Sequence, residues 1–297
     1  MVDDERPATP RLLIGAALAV LILIWGTTWA AIRIGLEGLP PFTGASLRFL
    51  LAGLVLIAVA RISGVPSQTG PRLRWLWMIE GLFAFVISYG IVYWAEQWVP
   101  SGLAAVLFST FPFFVAILAH FWLEDERMRW LHVVGLVFGF LGVALISADD
   151  MVLAGRRDVV AALIMLGSPL AAAVAHVQVK KWGYGLHPLN LVGVPMVSGG
   201  AVLGVVALLT ERHLPTALDG RTVAALLYLA LAGSAVTFTI YYWVLERVPA
   251  TRLALITFGI PVVAVIVGAL GLGEPITAQT VTGSILVLSG VGVALRV

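Results

Sequence analysis

Ten apolar stretches of about 20 residues run almost end to end through the chain, at 12–33, 42–61, 74–94, 101–122, 130–148, 158–178, 187–209, 222–244, 250–272 and 277–296. A helix of about that length crosses a hydrocarbon core of roughly 30 Å. Within that core every backbone N–H and C=O must be paired inside the chain, so the spanning elements are helices. Composition removes the soluble alternative: 11% of the 297 residues are charged and 60% are hydrophobic, where a soluble domain carries about 25% charge. The chain reads as an all-α polytopic membrane protein. The first apolar run ends in Trp25-Gly26-Thr27-Thr28-Trp29 with no small-residue cleavage pattern, so it reads as a retained span.

Lysine and arginine give the orientation. With the N-terminus cytoplasmic, twelve fall inside: Arg6, Arg11, Arg61, Arg72, Arg74, Arg127, Arg129, Lys180, Lys181, Arg247, Arg252 and Arg296. Five fall outside: Arg33, Arg156, Arg157, Arg212 and Arg221. That bias places both termini in the cytoplasm, which requires an even number of spans. The weakest punctuation is near 95–101, where Glu96, Gln97 and Pro100 alone interrupt the apolar sequence. A fused helix there would leave nine spans and reverse everything downstream.

An internal repeat organises the chain. Tyr93, Trp94, Val99 and Pro100 recur as Tyr242, Trp243, Val248 and Pro249, 149 residues later, and Pro112 recurs as Pro261. After a one-residue shift Glu126 matches Glu274, Gly135 matches Gly283 and Gly142 matches Gly290. Each half holds five spans, an odd number, so the second half threads the membrane in the opposite sense. The expected organisation is a cytoplasmic tail (1–11), a first five-helix repeat (12–148), a connecting loop (149–157) and a second five-helix repeat (158–297), with the two inverted repeats around a central cavity. Inverted repeats are how many secondary transporters expose one site to two sides in turn.

With Trp25-Gly26-Thr27-Thr28-Trp29-Ala30 in span 1, Leu47-Arg48-Phe49-Leu50-Leu51-Ala52-Gly53 in span 2, Ala104-Ala105 through Pro112, and Gly273-Glu274-Pro275 in the second half, the chain resembles the drug/metabolite transporter superfamily. Within it the pattern is similar to EamA-type ten-helix exporters and looks like the YddG-type bacterial amino-acid exporters. The resemblance implies a cavity lined by spans 1, 3, 4, 6, 8 and 9, export of small metabolites, and no ATP hydrolysis. The sequence has no GxxxxGK[ST] loop, in keeping with the last point.

Candidate residues follow from polar or unusual chemistry inside the spans. Trp25, Tyr89, Tyr93, Tyr241 and Tyr242 join ring surface to a polar edge, and Thr28, Ser109, Ser168, Thr257 and His176 supply polar contacts for a small-molecule substrate. Helix packing is the plain alternative for the whole set. Arg48 and Glu80 are charges within spans, each about 9 Å from its own end of the helix. They lie at different depths, which argues against a direct ion pair. Arg48 could attract a carboxylate or cap free carbonyls, the latter favoured as a structural role. Glu80 could bind an amine or take a coupling proton, and His176 could relay one. Snorkelling or local pairing is the alternative for both charges. Pro112 and Pro261 are hinge candidates or static kinks. Glu126 and Glu274 are expected to cap the helices that follow them. Gly135, Gly139, Gly142, Gly283 and Gly290 suggest close helix contact, within one chain or at a dimer seam.

The sequence thus points to a secondary transporter of the bacterial inner membrane that exports amino acids or similar small metabolites. Other readings are a drug or other metabolite exporter, an uptake carrier, and an integral-membrane enzyme acting on lipid-linked substrate at the acidic loop 124–126. Expected partners are the substrate and membrane lipid, with no nucleic acid, cofactor, metal or ATP-hydrolysing subunit, in a monomer or weak dimer.

Overall fold

The computed structural model describes residues 10–99, 101–146, 155–263 and 277–296. Within them lie α1 (Arg11–Gly38), α2 (Pro41–Ile62), α3 (Pro71–Ala95), α4 (Leu103–Trp122), α5 (Trp130–Ile146), α6 (Arg156–Trp182), α7 (Pro188–Thr210), α8 (Gly220–Leu245), α9 (Ala250–Val263) and α10 (Ala278–Ala294). Seven of these are long and apolar enough to cross a membrane, and α5, α9 and α10 are shorter apolar helices. The break between α3 and α4 is real: Glu96–Trp98 form a turn. Glu274, expected to be a cap, lies outside the described residues, as does most of the connecting loop.

Proline at the first helical position starts α2, α3 and α7, where its missing N–H would be unpaired anyway. Asp219 caps α8 by accepting the Thr222 amide at 2.7 Å. That bond holds the exposed Asp219 carboxyl below the usual carboxylate range. The cap is therefore complete above the ordinary aspartate pKa and is lost as pH falls through the depressed one. Asp219→Asn should keep the cap and flatten the acid limb of a thermal-unfolding pH series, while Asp219→Ala should lose both.

The packing is that of an inverted repeat. α2 lies along α7, and α5 along α10; each pair joins equivalent helices of the two halves. The other contacts come in mirrored couples: α1 with α8 and α6 with α3, or α2 with α8 and α7 with α3. α4 packs on α6, and α1 meets α9 where Gly26 faces the Ile260 carbonyl. Local geometry repeats too. α3 winds as a π-helix over Glu80–Ser88, and α8 does so over Leu231–Val236, at the same register of the repeat. Nothing in the residue pattern foretold those segments.

Helix ends are satisfied across the bundle rather than locally. Arg33 of α1 donates to the Glu96 carbonyl at the end of α3 at 3.0 Å. Lys180 of α6, its counterpart, donates to the Leu245 carbonyl at the end of α8 and the Val248 carbonyl just beyond it, at 2.8 and 2.7 Å. Glu126 departs from expectation. It caps α9, not α5, accepting from the Ala250 and Thr251 amides and the Thr251 hydroxyl at 2.7–2.9 Å. Glu211 holds the start of α2 in the same way, through Phe42 and Thr43. The reason is geometric: a residue just past one helix sits on the membrane face where partner helices begin, and their free amides attract a carboxylate.

Large apolar side chains such as Leu54, Phe121, Leu163, Leu208 and Leu288 point outward. In water this would be an unfavourable surface; in lipid it is the surface required.

Candidate functional site

A cavity of about 100 Å³ lies among α1, α3, α4, α6, α8 and α9. α1 contributes Trp25, Thr28, Trp29 and Ile32; α3 contributes Ala84, Ser88, Tyr89 and Val92; α4 contributes Phe108 and Phe111. From the second half come Ala172 and His176 of α6, Phe238, Tyr241 and Tyr242 of α8, and Ile256, Thr257 and Ile260 of α9. Among the described residues that line it, none is Asp, Glu, Lys or Arg.

The wall is built from repeat-related positions. Tyr89 and Phe238, Val92 and Tyr241, Phe108 and Thr257, and Phe111 and Ile260 are each 149 residues apart, and both members of every couple face the cavity. Trp25 with Ala172, and Trp29 with His176, do the same at a spacing of 147. The cavity therefore sits where the two halves cross. Its two sides differ in chemistry: where the first half places Val92, Trp29 and Phe108, the second places Tyr241, His176 and Thr257.

Hydrogen bonds fix the polar groups. His176 Nε2 is 3.1 Å from the Ala250 carbonyl oxygen, which can only accept, so that nitrogen carries the ring proton. Nδ1 then accepts from the Tyr241 hydroxyl at 2.6 Å. Tyr242 donates to Glu80 Oε2. Thr28 donates to the Trp25 carbonyl at 2.8 Å and Thr257 to the Ala254 carbonyl at 2.9 Å. The Trp25 indole N–H donates to Thr237 at 3.1 Å. Trp25 and Tyr241 pack ring on ring at 5.2 Å.

Of the residues singled out from sequence, Trp25, Thr28, Tyr89, His176, Tyr241, Tyr242 and Thr257 thus meet at one cavity. Tyr93, Ser109 and Ser168 stand outside its wall. Tyr93 is turned to Arg48, the Ser109 hydroxyl folds back on the Val106 carbonyl at 2.6 Å, and Ser168 bonds Ser88 at 2.9 Å behind the surface. Small hydroxyls in a helix find their own carbonyls first. Arg48 is also outside the wall and fully buried. Its Nε donates to Ser234 at 2.8 Å and one terminal nitrogen to the Gly233 carbonyl at 3.1 Å, and its guanidinium lies 4.8 Å from the Tyr89 ring centroid. It ties α2 to the π-helical segment of α8. Glu80 is buried behind Tyr242, and no ion pair joins it to Arg48 among the described residues.

Pro112 follows an interruption of α4 at Ser109-Thr110, and Pro169 one of α6 at Leu166. Pro261 follows one of α9 at Leu255. Hydroxyls heal the first break, since Thr110 donates to the Leu107 carbonyl at 2.7 Å. Pro195 sits in an unbroken helix.

Sequence reasoning missed Trp29, Phe108, Phe111 and Phe238, which read as ordinary apolar positions. The repeat offers a signal for Phe238, which occupies the position of Tyr89. It also missed Glu96, placed in a loop by pattern yet fully buried, with neither carboxylate oxygen bonded among the described residues.

The model of the EamA-like transporter family matches the chain twice, over residues 13–148 and 159–296. The uncharacterized transporter YvbV of Bacillus subtilis (strain 168) is 26% identical over 285 residues, covering 95% of this chain and 91% of that protein. The uncharacterized inner membrane transporter YedA of Escherichia coli (strain K12) is 29% identical over 270 residues, covering 86% and 82%. A solved crystal structure superposes with a TM-score of 0.81 at 20% identity, covering 97% of this chain and 98% of its own, a likeness of fold. With two copies of the family pattern, ten apolar helices and a cavity where the halves cross, the chain belongs to the EamA-like transporter family.

Proposed function

We propose that this secondary transporter exports amino acids with apolar side chains, or similar small metabolites, by alternating access in a bacterial inner membrane, with both termini cytoplasmic. The observation that carries the reading is the cavity wall, with aromatic surface on one side, Tyr241, Thr257 and His176 on the other, and no fixed charge among the described lining residues. Such a wall suits a small molecule with an apolar body and few polar groups. The acidic loop of the enzyme alternative is weakened as a site, because Glu126 spends both carboxylate oxygens on the start of α9. The test is counterflow in reconstituted vesicles with a panel of radiolabelled amino acids. Exchange of leucine- or phenylalanine-like substrates is the expected result; failure of every amino acid removes the cargo assignment. Aromatic drugs included in the same panel separate the second reading, which draws on the same rings.

Pro112 and Pro261 stand at equivalent places in the two halves, each after an interruption of its own helix, which supports a hinge role for both. Pro112→Ala and Pro261→Ala restore a backbone donor and should each slow exchange by about tenfold or more, since opening and closing steps limit many such cycles. Full activity in both variants would leave the prolines as shape alone.

A further inference from the structure

Glu80 is completely buried, one carboxylate oxygen accepts from Tyr242, and the other has no partner among the described residues. An ionisable group held this way inside a membrane is costly, and the fold does not require it. Leu229 stands at the same register of the second half, 149 residues on, and is buried there as plain hydrocarbon. Tyr242 separates the carboxylate from the cavity that it lines.

From this geometry we infer that Glu80 is a proton-binding site that competes with the amine of the cargo, making the carrier a proton antiporter. The inference rests on the amine-bearing cargo proposed above. With Glu80 ionised, the Tyr242 hydroxyl donates to it, and the lone pairs of the phenol oxygen are left for an ammonium group. When Glu80 takes up a proton, that proton goes to the hydrogen bond with Tyr242. The direction of the bond reverses, and the Tyr242 proton is freed toward the cavity, where it opposes an ammonium group. One proton bound thus excludes one amine bound, and by linkage the amine expels the proton. No covalent bond forms or breaks, and Tyr242 keeps one proton throughout.

The surrounding titratable groups leave this switch to Glu80. On α8, Tyr241 is committed to His176. On α6, His176 is held by Ala250 and Lys180 by the carbonyls at and just beyond the end of α8. On α2, Arg48 is held by Ser234 and Gly233. On α3 itself, Arg72 is spent on carbonyls at and just beyond the end of α6, Arg74 lies at the exposed start of the helix, and Tyr89 and Tyr93 sit beside Arg48 further along. α7, which packs on this part of α3, has no titratable side chain between Pro188 and Thr210.

The test uses the full chain in vesicles containing a pH-sensitive dye, with leucine and phenylethylamine as probes. Wild type should bind both more tightly as pH rises and should move protons against them. In Glu80→Gln the amide donates permanently to Tyr242, imitating the protonated state. Its affinity should be weaker by about ten- to a hundredfold at alkaline pH, the worth of one hydrogen bond to a charged group, with no pH dependence and no proton movement. Tyr242→Phe should lose the pH dependence as well. Proton-coupled exchange that persists in Glu80→Gln, or exchange by wild type without proton movement, overturns the proton site alone. Proton-coupled exchange of phenylethylamine without any amino acid upholds the site and removes the amino-acid cargo. Exchange of neither probe by wild type overturns both.

Discussion

Replacing Gly142 with leucine is expected to prevent the two halves from closing, with a loss of at least about 3 kcal/mol, the upper end for overpacking a dense interior. The seam between α5 and α10 is backbone against backbone. A Cβ at Gly142 would lie 2.6 Å from both the Gly283 carbonyl oxygen and the Val287 amide nitrogen. One at Gly290 would lie 2.4 Å from the Gly139 nitrogen and 2.6 Å from the Gly135 oxygen. No side-chain rotation relieves such contacts, so the helices must separate. Small residues let helices approach closely where lipid offers no hydrophobic drive for association. Gly292 is the internal control: it lies on the same helix with nothing within 4 Å of a built Cβ, and Gly292→Leu should change stability by less than about 0.5 kcal/mol. Thermal unfolding in detergent measures both. Equal losses would show that the seam is not what joins the halves. The same contacts place these glycines in a seam within the chain.

Arg48→Ala is expected to destabilise by about 3–5 kcal/mol, the range for removing one partner of a buried charged network. It strands the Ser234 hydroxyl and the Gly233 carbonyl and empties the space beside Phe49 and Tyr89. Arg48→Lys should recover less than half of that, because an ammonium cannot reproduce the planar fork that serves α8 and Tyr93 together. Detergent unfolding of the three proteins checks the order. A lysine variant as stable as wild type would mean that charge alone matters and that the bridge between α2 and the π-helical turn carries little. The exchange assay adds a second readout, since Tyr89 stands between Arg48 and the cavity.

How far the sequence reached depends on the kind of information each feature needs. The break after Ala95 was the least legible, because only Glu96, Gln97 and Pro100 mark it and a fused helix stayed open until the turn at Glu96–Trp98 was seen, whereas the register of Pro112 with Pro261 was legible because proline leaves the same mark in either half. The close contacts of Gly135, Gly142, Gly283 and Gly290 could be read as small residues at helical spacing. The roles of Ser109 and Tyr93 could not: each looks like a cavity hydroxyl until the neighbouring carbonyl or guanidinium is in place. Glu126 shows the same limit, since the helix that it caps lies over 120 residues away in sequence.

What the chain determined alone is the all-helical membrane class, the pairing of the apolar stretches into two repeated halves and the chemistry available within each. Those depend on run length, punctuation and the recurrence of marked residues at a fixed spacing, all of which are properties of the sequence itself. What only the assembled bundle decided is which polar groups face the cavity and where each proton points. A helix turns by about 100° per residue, so the face that each span presents is set by its neighbours, and those neighbours come from the other half of the chain.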